Sequence, residues 1–319
     1  MKESRGEFGL IRQIQQETSV SAEGVILGIG DDGAVLEVPA GQLLVAATDT
    51  LNAGIHFPDD TAPFDIGYKC LAVNLSDLAA MGAMPRWALL SLSLPDADST
   101  WLQSFTAGFR SLAKLWNVSL VGGDTTSGPL AVSVTALGTV KPGLQMLRSG
   151  ARAGDLVVVS GTVGGAARVL DLLQAGEAAA EQHLLDRPLP RIKLGQVISA
   201  YASACIDISD GLIADLGHIL QASGCAARIN TEALPASVVL EGLEDGQKWG
   251  YQLAGGDDYE LLFTLPPRYE AMLADWSKDL ELKLSVIGEV QQGEGIKCTA
   301  TDGTLFQPQR PGFDHFGKS

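Results

Sequence analysis

Six short aspartate clusters are the part of this 319-residue sequence best suited to chemistry. Each follows an apolar run and contains glycine, serine or threonine. The clusters are Gly30-Asp31-Asp32, Thr48-Asp49-Thr50, Ser76-Asp77, Gly122-Gly123-Asp124-Thr125-Thr126, Asp207-Ile208-Ser209-Asp210 and Gly255-Gly256-Asp257-Asp258. Carboxylate and hydroxyl oxygens are the hard ligands that Mg²⁺ prefers, and phosphate oxygens often complete its shell. A single such cluster is more often an ordinary turn, but six in one chain favour a magnesium–phosphate site.

Two of the clusters are poorly explained as turns. Asp77 lies in the last turn of a predicted helix, where a carboxylate opposes the helix dipole by roughly 0.3–1 kcal/mol. A cation nearby would remove that conflict. Asp49 directly follows a predicted buried strand, which is the usual position of ligand-binding residues in α/β folds.

A third cluster lies between a predicted strand and a predicted helix. The alternation of a strand places Asp207 and Ser209 on one face, away from Ile206 and Ile208. We expect Ser209 or Asp210 to cap the helix that follows. Capping does not explain Asp207, which is therefore a candidate ligand.

The elements that must position these clusters alternate between strands and helices. A segment rich in glycine and charge, around residues 141–155, marks a domain boundary. We therefore expect an N-terminal domain over 1–148 and a C-terminal α/β domain over 149–319, in an α/β chain whose N-terminal half is α+β. The predicted strands are Leu43–Ala47, Val118–Val121, Leu130–Thr139, Leu156–Ser160 and Ile206–Ser209, and the predicted helices are Phe64–Ala80, Ser99–Trp116, capped by Ser99 or Thr100, and Gly211–Ser223.

Composition excludes several classes of protein. The net charge of -16 and the pI of about 4.6 argue against a surface for nucleic acid or for anionic membranes. No stretch reaches the ~20 apolar residues of a membrane span, and the charged N-terminus has no signal-peptide pattern. The four cysteines are widely spaced, which favours reduced thiols and a cytoplasmic location.

Two glycine-rich segments allow other interpretations. Residues 28–33 fit the pattern G-x-G-x-x-G, but Ala34–Val38 predicts a strand where a dinucleotide site needs a helix. The two aspartates inside the pattern would also repel the pyrophosphate, so we exclude this site. Gly161–Gly165 can either cradle a phosphate or form a close packing turn, and packing is the commoner case. The chain has no P-loop motif.

With these clusters identified, the chain resembles the family of bacterial thiamine-monophosphate kinases, in the aminoimidazole ribonucleotide synthetase-like superfamily. The resemblance covers nearly the whole length, from residue 6 to residue 316. Its most specific segments are Asn74-Leu75-Ser76-Asp77-Leu78-Ala79-Ala80-Met81-Gly82 and Asp207-Ile208-Ser209-Asp210-Gly211-Leu212, and it extends to Gly28–Asp32, Thr48–Leu51, Gly54–Phe57, Gly122–Thr126 and Gly255–Leu261.

The resemblance implies a two-domain aminoimidazole ribonucleotide synthetase-like fold, a homodimer formed through the N-terminal domains, and phosphorylation of thiamine monophosphate by ATP. It implies that several Mg²⁺ ions are held by Asp32, Thr48, Asp49, Asp77, Asp124, Asp207 and Asp210. It implies ATP contacts at Gly123, Asp124, Arg148 and Ser209, and contacts to the thiamine moiety at His56, Asp257 and Phe313. Ala47, Asp257 and Phe313 depart from residues found in some relatives, which are Ser, Glu and Tyr.

No residue is expected to act as a general base. The acceptor would be a phosphate monoester, whose second pKa near 6 makes it largely a dianion at neutral pH. Direct in-line transfer assisted by Mg²⁺ then depends on positioning and on neutralising charge. Two alternatives stay open: another ATP-dependent enzyme of the superfamily with a different acceptor, and a metal- or nucleotide-binding protein without catalytic activity.

Overall fold

Two structural units make up the protein. The structure, a computed structural model, describes residues 7–18, 23–308 and 312. The first unit contains the residues up to Leu78 together with Ala83–Gly143, and the second contains Ala79–Gly82 with the residues from Leu144 onward. Each unit has a large sheet of its own, with four strands in the first and seven in the second.

The first unit is a four-stranded sheet with helices, preceded by a short hairpin. The strand order is β3-β6-β4-β5, and only β4 and β5 are parallel. The elements are α1 (Glu7–Glu17), β1 (Val25–Leu27), β2 (Val35–Leu36), β3 (Leu43–Asn52), α2 (Pro63–Ala80), β4 (Met84–Leu94), α3 (Ser99–Trp116), β5 (Ser119–Ser127) and β6 (Ala131–Val140). The two long helices were predicted to within one residue at each end.

Helices α2 and α3 cross with their backbones in contact. A Cβ at Gly67 would lie 2.0 Å from the carbonyl oxygen of Phe105, and a Cβ at Gly108 would lie 1.8 Å from that of Phe64. Glycine is therefore required on both helices at the crossing. Asp98 caps α3 by accepting hydrogen bonds from the backbone amides of Thr100 and Trp101, two and three residues further on, so the prediction of Ser99 or Thr100 as the cap is wrong.

Two strands are longer than predicted, and this changes where their aspartate clusters lie. Strand β3 continues through Thr48-Asp49-Thr50, and β5 continues through the cluster that contains Asp124. Threonine is a good strand former, so the strands do not stop where the apolar runs end. Strand β3 is also an edge strand, on which Leu44 is 50% exposed, and the prediction of a buried strand ending before Asp49 is wrong.

The register of the sheet separates the clusters onto two faces. Asp49 pairs with Val134, which pairs with Leu90, and these two apolar residues are buried. Thr50 pairs with Ser133, and the same row continues through Ser91 to Asp124 on the opposite, exposed face. We call this second face the open face; Thr48 also lies on it.

The second unit is built on a seven-stranded sheet of order β13-β12-β9-β11-β7-β10-β8, in which only β9 and β12 are parallel. Its elements are β7 (Leu156–Ser160), α4 (Gly165–Gln174), α5 (His183–Asp186), α6 (Ile192–Ile198), β8 (Ala204–Asp207), α7 (Leu212–Ser223), β9 (Ala226–Asn230), α8 (Asp245–Ala254), β10 (Leu261–Leu265), α9 (Met272–Asp279), β11 (Leu284–Gln291), β12 (Ile296–Thr299) and β13 (Leu305–Phe306).

Three segments of interest lie together at one end of the strands of this sheet. Strand β10 is antiparallel to both β7 and β8, and Leu261 pairs with Asp207 at the end of β8. The loops after β7 and β8 and the loop before β10 therefore lie at the same end of the strands. All four residues of β8 are buried and Ser209 lies beyond its end, so the prediction that Asp207 and Ser209 share a strand face is wrong.

Three further expectations can be compared with the fold. The four cysteines are free and buried, as expected for a chain without a disulfide framework. Among the described residues, no helix is both long and apolar enough to cross a membrane. Residues 28–33 connect β1 to β2 and no helix follows them, which agrees with the exclusion of a dinucleotide site.

Candidate active site

In the first unit, Asp49 on β3 and Asp77 on α2 form a carboxyl pair. Their side chains are hydrogen-bonded to each other. Burial raises the pKa of Asp49, while the hydrogen bond to Asp77 and the charge of His56 oppose that shift. Two carboxyl groups can share a hydrogen bond only when one of them carries a proton. A divalent cation satisfies the same pair of oxygens without the proton, so this donor set fits Mg²⁺.

Asn74 fixes the strand end of this pair. Its side chain is fully buried on α2. Its Oδ1 accepts a hydrogen bond of 3.1 Å from the backbone amide of Asp49, and its Nδ2 donates one of 3.0 Å to the carbonyl oxygen of Cys70. A buried amide with both ends engaged has one orientation, so Asn74 holds β3 and α2 in fixed register at Asp49. The sequence reasoning did not select Asn74, although it stands three residues before Asp77.

His56 lies in the turn after β3 and is held by two hydrogen bonds. The backbone amide of Asn52 donates to its Nδ1 at 3.0 Å, and the Nζ of Lys69 donates to its carbonyl oxygen at 3.2 Å. Because Nδ1 acts as an acceptor, the proton of the neutral ring is on Nε2. Lys69 is itself buried on α2, and it anchors this turn to the helix.

Three other candidates of the first unit lie on the open face or in the loop between β1 and β2. The Thr48 hydroxyl donates to the carbonyl oxygen of Val134 at 3.1 Å and lies 3.0 Å from the hydroxyl of Thr135, on the open face. Asp124 is on the same face but on β5, the opposite edge strand. Asp32 is exposed in the loop between β1 and β2.

Gly123 is a position where no side chain fits. Its φ is +149°, and a Cβ there would lie 1.8 Å from the carbonyl oxygen of Leu90 on β4. The backbone at Gly123 therefore approaches β4 directly, which only glycine allows. Asp124 follows immediately and is exposed.

In the second unit, Asp215 organises the loop that follows β8. One of its oxygens, Oδ2, accepts hydrogen bonds from three consecutive backbone amides, at 3.0 Å from Ser209, 3.1 Å from Asp210 and 3.2 Å from Gly211. Helix α7 thus has no side-chain cap at Gly211, and the prediction that Ser209 or Asp210 caps it is wrong. A residue inside the first turn reaches back to satisfy these amides instead.

The same loop concentrates negative charge. Burial, together with the charges of Asp207 and Asp210, raises the pKa of Asp215 to about 7, against the effect of the amide hydrogen bonds. Asp207 is 5% exposed and Asp210 is half-buried. Two carboxylates held this close to a third are a costly arrangement without a cation, and they supply the oxygen ligands that Mg²⁺ takes.

Asp257 is fixed next to this loop by a strained turn. Both Asp257 and Tyr259 have positive φ, of 67° and 50°. Their backbone amides donate to the carbonyl oxygens of Ser209 at 2.9 Å and Ile208 at 2.8 Å, and the Tyr259 hydroxyl donates to Asp257 Oδ1 at 3.1 Å. Residues other than glycine in this conformation cost energy and concentrate at functional sites. The turn places Asp257 directly beside Ser209.

Asp258 closes the turn after β7. Its carboxyl oxygens accept from the backbone amides of Gly164 at 2.6 Å and Ala166 at 3.4 Å, at the start of α4. Burial raises its pKa to about 8; these two hydrogen bonds oppose the shift, while Glu260 and Asp257 add to it. The amides that a bound phosphate would need are thus already engaged.

The Gly161–Gly165 segment is accordingly a packing turn. A Cβ at Gly161 would meet the carboxyl group of Glu260 at 1.9 Å, and one at Gly164 would meet the backbone of Gln252 at 2.8 Å. Glu260 is buried, and it accepts hydrogen bonds from the guanidinium of Arg191 and from the hydroxyl of Ser160. Of the two interpretations of this segment, the structure favours the packing turn over a phosphate-binding loop.

The remaining candidates contribute less to the described site. Arg148 is exposed, and its carbonyl oxygen accepts a bond of 3.4 Å from Ser223. Phe313 lies outside the described residues. Within the part of the chain that the structure describes, no group of three His, Cys, Asp or Glu side chains is arranged so that it could hold a metal ion. A bound Mg²⁺ would therefore use one or two carboxylates of a unit and complete its shell with phosphate and water oxygens.

Comparison with known proteins identifies the family. The family described as AIR synthase related protein, N-terminal domain, matches residues 30–140, and the corresponding C-terminal domain family matches residues 152–300. Thiamine-monophosphate kinase of Escherichia coli (strain K12) is 44% identical over 320 residues, covering 98% of this chain and 98% of that protein.

Solved structures agree over the same length. Thiamine-monophosphate kinase from Stenotrophomonas maltophilia K279a has a TM-score of 0.85 at 45% identity, over 92% of this chain and 96% of that one. The structure of AaThiL complexed with AMPPCP and TMP has a TM-score of 0.76 at 35% identity, over 98% of this chain and 97% of that one. The chain therefore belongs to the thiamine-monophosphate kinase family of AIR synthase related proteins.

Proposed function

We propose that the protein transfers the γ-phosphoryl group of ATP to the phosphate of thiamine monophosphate, in line and with the assistance of several Mg²⁺ ions. The products are thiamine diphosphate and ADP, and the reaction is the last step of thiamine diphosphate biosynthesis. The observation that carries the proposal is the likeness, over almost the whole chain, to a relative bound to AMPPCP and TMP. The acidic chain without a membrane-spanning helix in its described part supports a cytoplasmic location.

In the proposed reaction, an oxygen of the acceptor phosphate forms a bond to the γ-phosphorus as the bond to the bridging oxygen of ADP breaks. ADP leaves with that electron pair. The acceptor is largely a dianion at neutral pH, so no side chain has to remove a proton. The obstacle is repulsion: two unit charges 4 Å apart interact by ~4 kcal/mol at an effective dielectric of 20. Bound magnesium supplies the compensating positive charge.

The residues of the chain hold the reactants in place. Asp49 and Asp77 in the first unit, and Asp207 and Asp210 in the second, supply the carboxylates for the metal ions. We also propose the remaining assignments: Asp32, Thr48 and Asp124 as further metal ligands, Gly123, Asp124, Arg148 and Ser209 as ATP contacts, and His56, Asp257 and Phe313 as contacts to thiamine. The domains proposed for these roles are 1–148 for ATP, Mg²⁺ and dimerisation, and 149–319 for the C-terminal α/β domain.

The sheet of the first unit supports the proposed homodimer. Asp49 and Asp124 lie on its two edge strands and on opposite faces. Three strand spacings separate β3 from β5, about 14 Å at roughly 4.8 Å each. An Mg²⁺ ion with ligand distances near 2.1 Å cannot join these two carboxylates within one chain. A second copy whose β5 lies beside β3 would bring its own Asp124 to the strand that carries Asp49.

Mixed dimers test this arrangement. Co-expressed Asp49→Asn and Asp124→Asn chains form heterodimers with one undamaged site if each site combines Asp49 of one copy with Asp124 of the other. Random pairing should then restore about a quarter of the wild-type activity, although each variant alone is inactive. No recovery, with heterodimers shown to be present, would mean that both residues act in the same chain or at different sites.

The main test is an assay of ADP formation from Mg-ATP, with and without thiamine monophosphate. We expect ADP only with the acceptor, and thiamine diphosphate in equal amount. ADP formation with another phosphate acceptor alone would favour a different activity of the same superfamily. Binding of Mg-ATP with no ADP under any condition would indicate a binding protein. With a chiral γ-phosphate, inversion of configuration is expected, and net retention would contradict in-line transfer.

A further inference from the structure

Helix α7 begins with an anion-binding arrangement that the protein fills itself. The backbone amides of Ser209, Asp210 and Gly211 all point at Oδ2 of Asp215, at 3.0, 3.1 and 3.2 Å. Consecutive amides converging on one point at a helix N-terminus commonly bind phosphate. Here the occupant is a carboxylate of the same chain, and Asp215 is 2% exposed.

The loop held in this way is clamped from its other side as well. A Cβ at Gly256 would lie 2.4 Å from the carbonyl oxygen of Ser209, and that oxygen accepts the amide of Asp257 at 2.9 Å. The loop therefore has Asp215 on its helix side and the Gly255–Glu260 turn on the other. Its backbone has little freedom, and the directions of the Ser209 and Asp210 side chains follow from it.

We propose that Asp215 is a positioning residue for phosphoryl transfer. It occupies the three amides in place of a phosphate, and it holds Ser209 and Asp210 where they meet the nucleotide and its metal. Phosphate is thereby directed to the carboxylate-bound metal and away from the helix N-terminus. This inference rests on the proposed function, because Ser209 and Asp210 have their roles only within it.

Three variants separate positioning from general stability. Asp215→Ala removes the carboxylate. Asp215→Asn keeps an oxygen that can accept the same amides. Asp155→Ala is the matched control: Asp155 is 5% exposed and accepts the amide of Arg152 at 3.0 Å. Asp155 precedes Leu156, which pairs with Leu265, whereas Asp207 pairs with Leu261. Asp155 therefore lies at the opposite end of the strands from Asp207.

The expected result is specific to Asp215. Asp215→Ala should lose 10- to 100-fold in kcat, the usual effect of removing a partner that orients a ligand residue. Asp215→Asn should retain most of the turnover, and Asp155→Ala should retain wild-type kcat. Sodium formate should restore turnover to Asp215→Ala by filling the vacated space. Without metal and nucleotide, formate should also raise the Tm of Asp215→Ala and leave those of the wild type and Asp155→Ala unchanged.

Several outcomes would overturn the proposal. Equal kcat for Asp215→Ala and Asp155→Ala would reduce Asp215 to a stabilising residue. An inactive but folded Asp215→Asn would show that accepting the amides is not what matters. If Asp215→Ala does not fold, the comparison of Asp215→Asn with wild type decides. If wild-type protein makes no thiamine diphosphate, the proposed function fails, while the formate-dependent Tm still tests whether Asp215 fills the amides.

Discussion

The environment of Asp258 predicts an unusual dependence of stability on pH. Its carboxyl is buried against the start of α4, and burial raises the pKa from 3.8 to about 8. Between pH 5 and pH 7 the folded protein therefore keeps the proton, while the unfolded chain has lost it. Because the folded state binds more protons than the unfolded state, the free energy of unfolding falls as the pH rises.

The size of the effect follows from the linkage relation. One bound proton changes stability by about 1.4 kcal/mol per pH unit, so two pH units amount to up to about 3 kcal/mol. Asp258→Asn removes the titration but keeps a side-chain oxygen that can accept the hydrogen bond donated by the amide of Gly164, which is 2.6 Å long in the wild type. The wild type should thus lose stability relative to Asp258→Asn as the pH rises from 5 to 7.

Urea unfolding of both proteins measures this difference. The transitions should be followed by circular dichroism at pH 5, 6 and 7, without Mg²⁺ or nucleotide, so that ligand binding does not contribute. Other titrating groups are common to both proteins and largely cancel. A difference that stays flat, or that grows in favour of the wild type, would show that the amides of α4 keep Asp258 ionised and would refute the reasoning.

Three further sets of variants give direct tests. Asp77→Asn should abolish turnover with the fold intact, and more than about a tenth of wild-type turnover at saturating Mg²⁺ would remove Asp77 from the ligands. Gly108→Ala puts a Cβ 1.8 Å from the backbone of Phe64, and should lower the free energy of unfolding, measured in urea, by about 3 kcal/mol or more. Its control is Gly217→Ala in α7, where a Cβ has open space and should raise the free energy of unfolding by up to ~1 kcal/mol. Phe313→Ala tests the contact to thiamine that is proposed for this residue. If Phe313 makes a cation–π contact, the change should raise the KM for thiamine monophosphate roughly 10-fold and leave that for ATP unchanged. Equal effects on both substrates would indicate a purely structural role.

Helical periodicity predicted the long helices well because their signals are local. Pro63 at the start of α2, Gly82 and Pro85 after its end, and the amphipathic pattern of α3 are each contained in a short stretch of sequence. The strands were harder to delimit. Polar residues such as Thr48 and Asp124 lie inside strands because the open face of the sheet tolerates them, and which face a residue occupies depends on the distant partner strand.

The partners of the candidate residues could not be read from the sequence for a similar reason. Asn74 reaches Asp49 across 25 positions, and Asp258 reaches Gly164 across 94. Asp215 is only four to six positions from the amides it accepts, so a search for acceptors inside the first helical turn could have found it. Ser209 and Asp210 are residue types that are favourable at an N-cap, and for this reason the sequence predicted them, wrongly, as the cap of α7.

The aspartates of the second unit divide into two groups by what their oxygens contact. Asp215 and Asp258 accept hydrogen bonds from backbone amides at the starts of α7 and α4. Neither is one of the proposed metal ligands. Asp207 and Asp210 sit close enough to raise the pKa of Asp215, and a positive charge is needed to offset that repulsion. The backbone amides at the starts of these two helices are thus already engaged by the protein's own carboxyl groups. Under the proposed function, a phosphate that reaches this end of the strands meets the negative charge of Asp207 and Asp210 unless a metal ion comes with it. We therefore expect any binding of nucleotide by the second unit to depend on Mg²⁺.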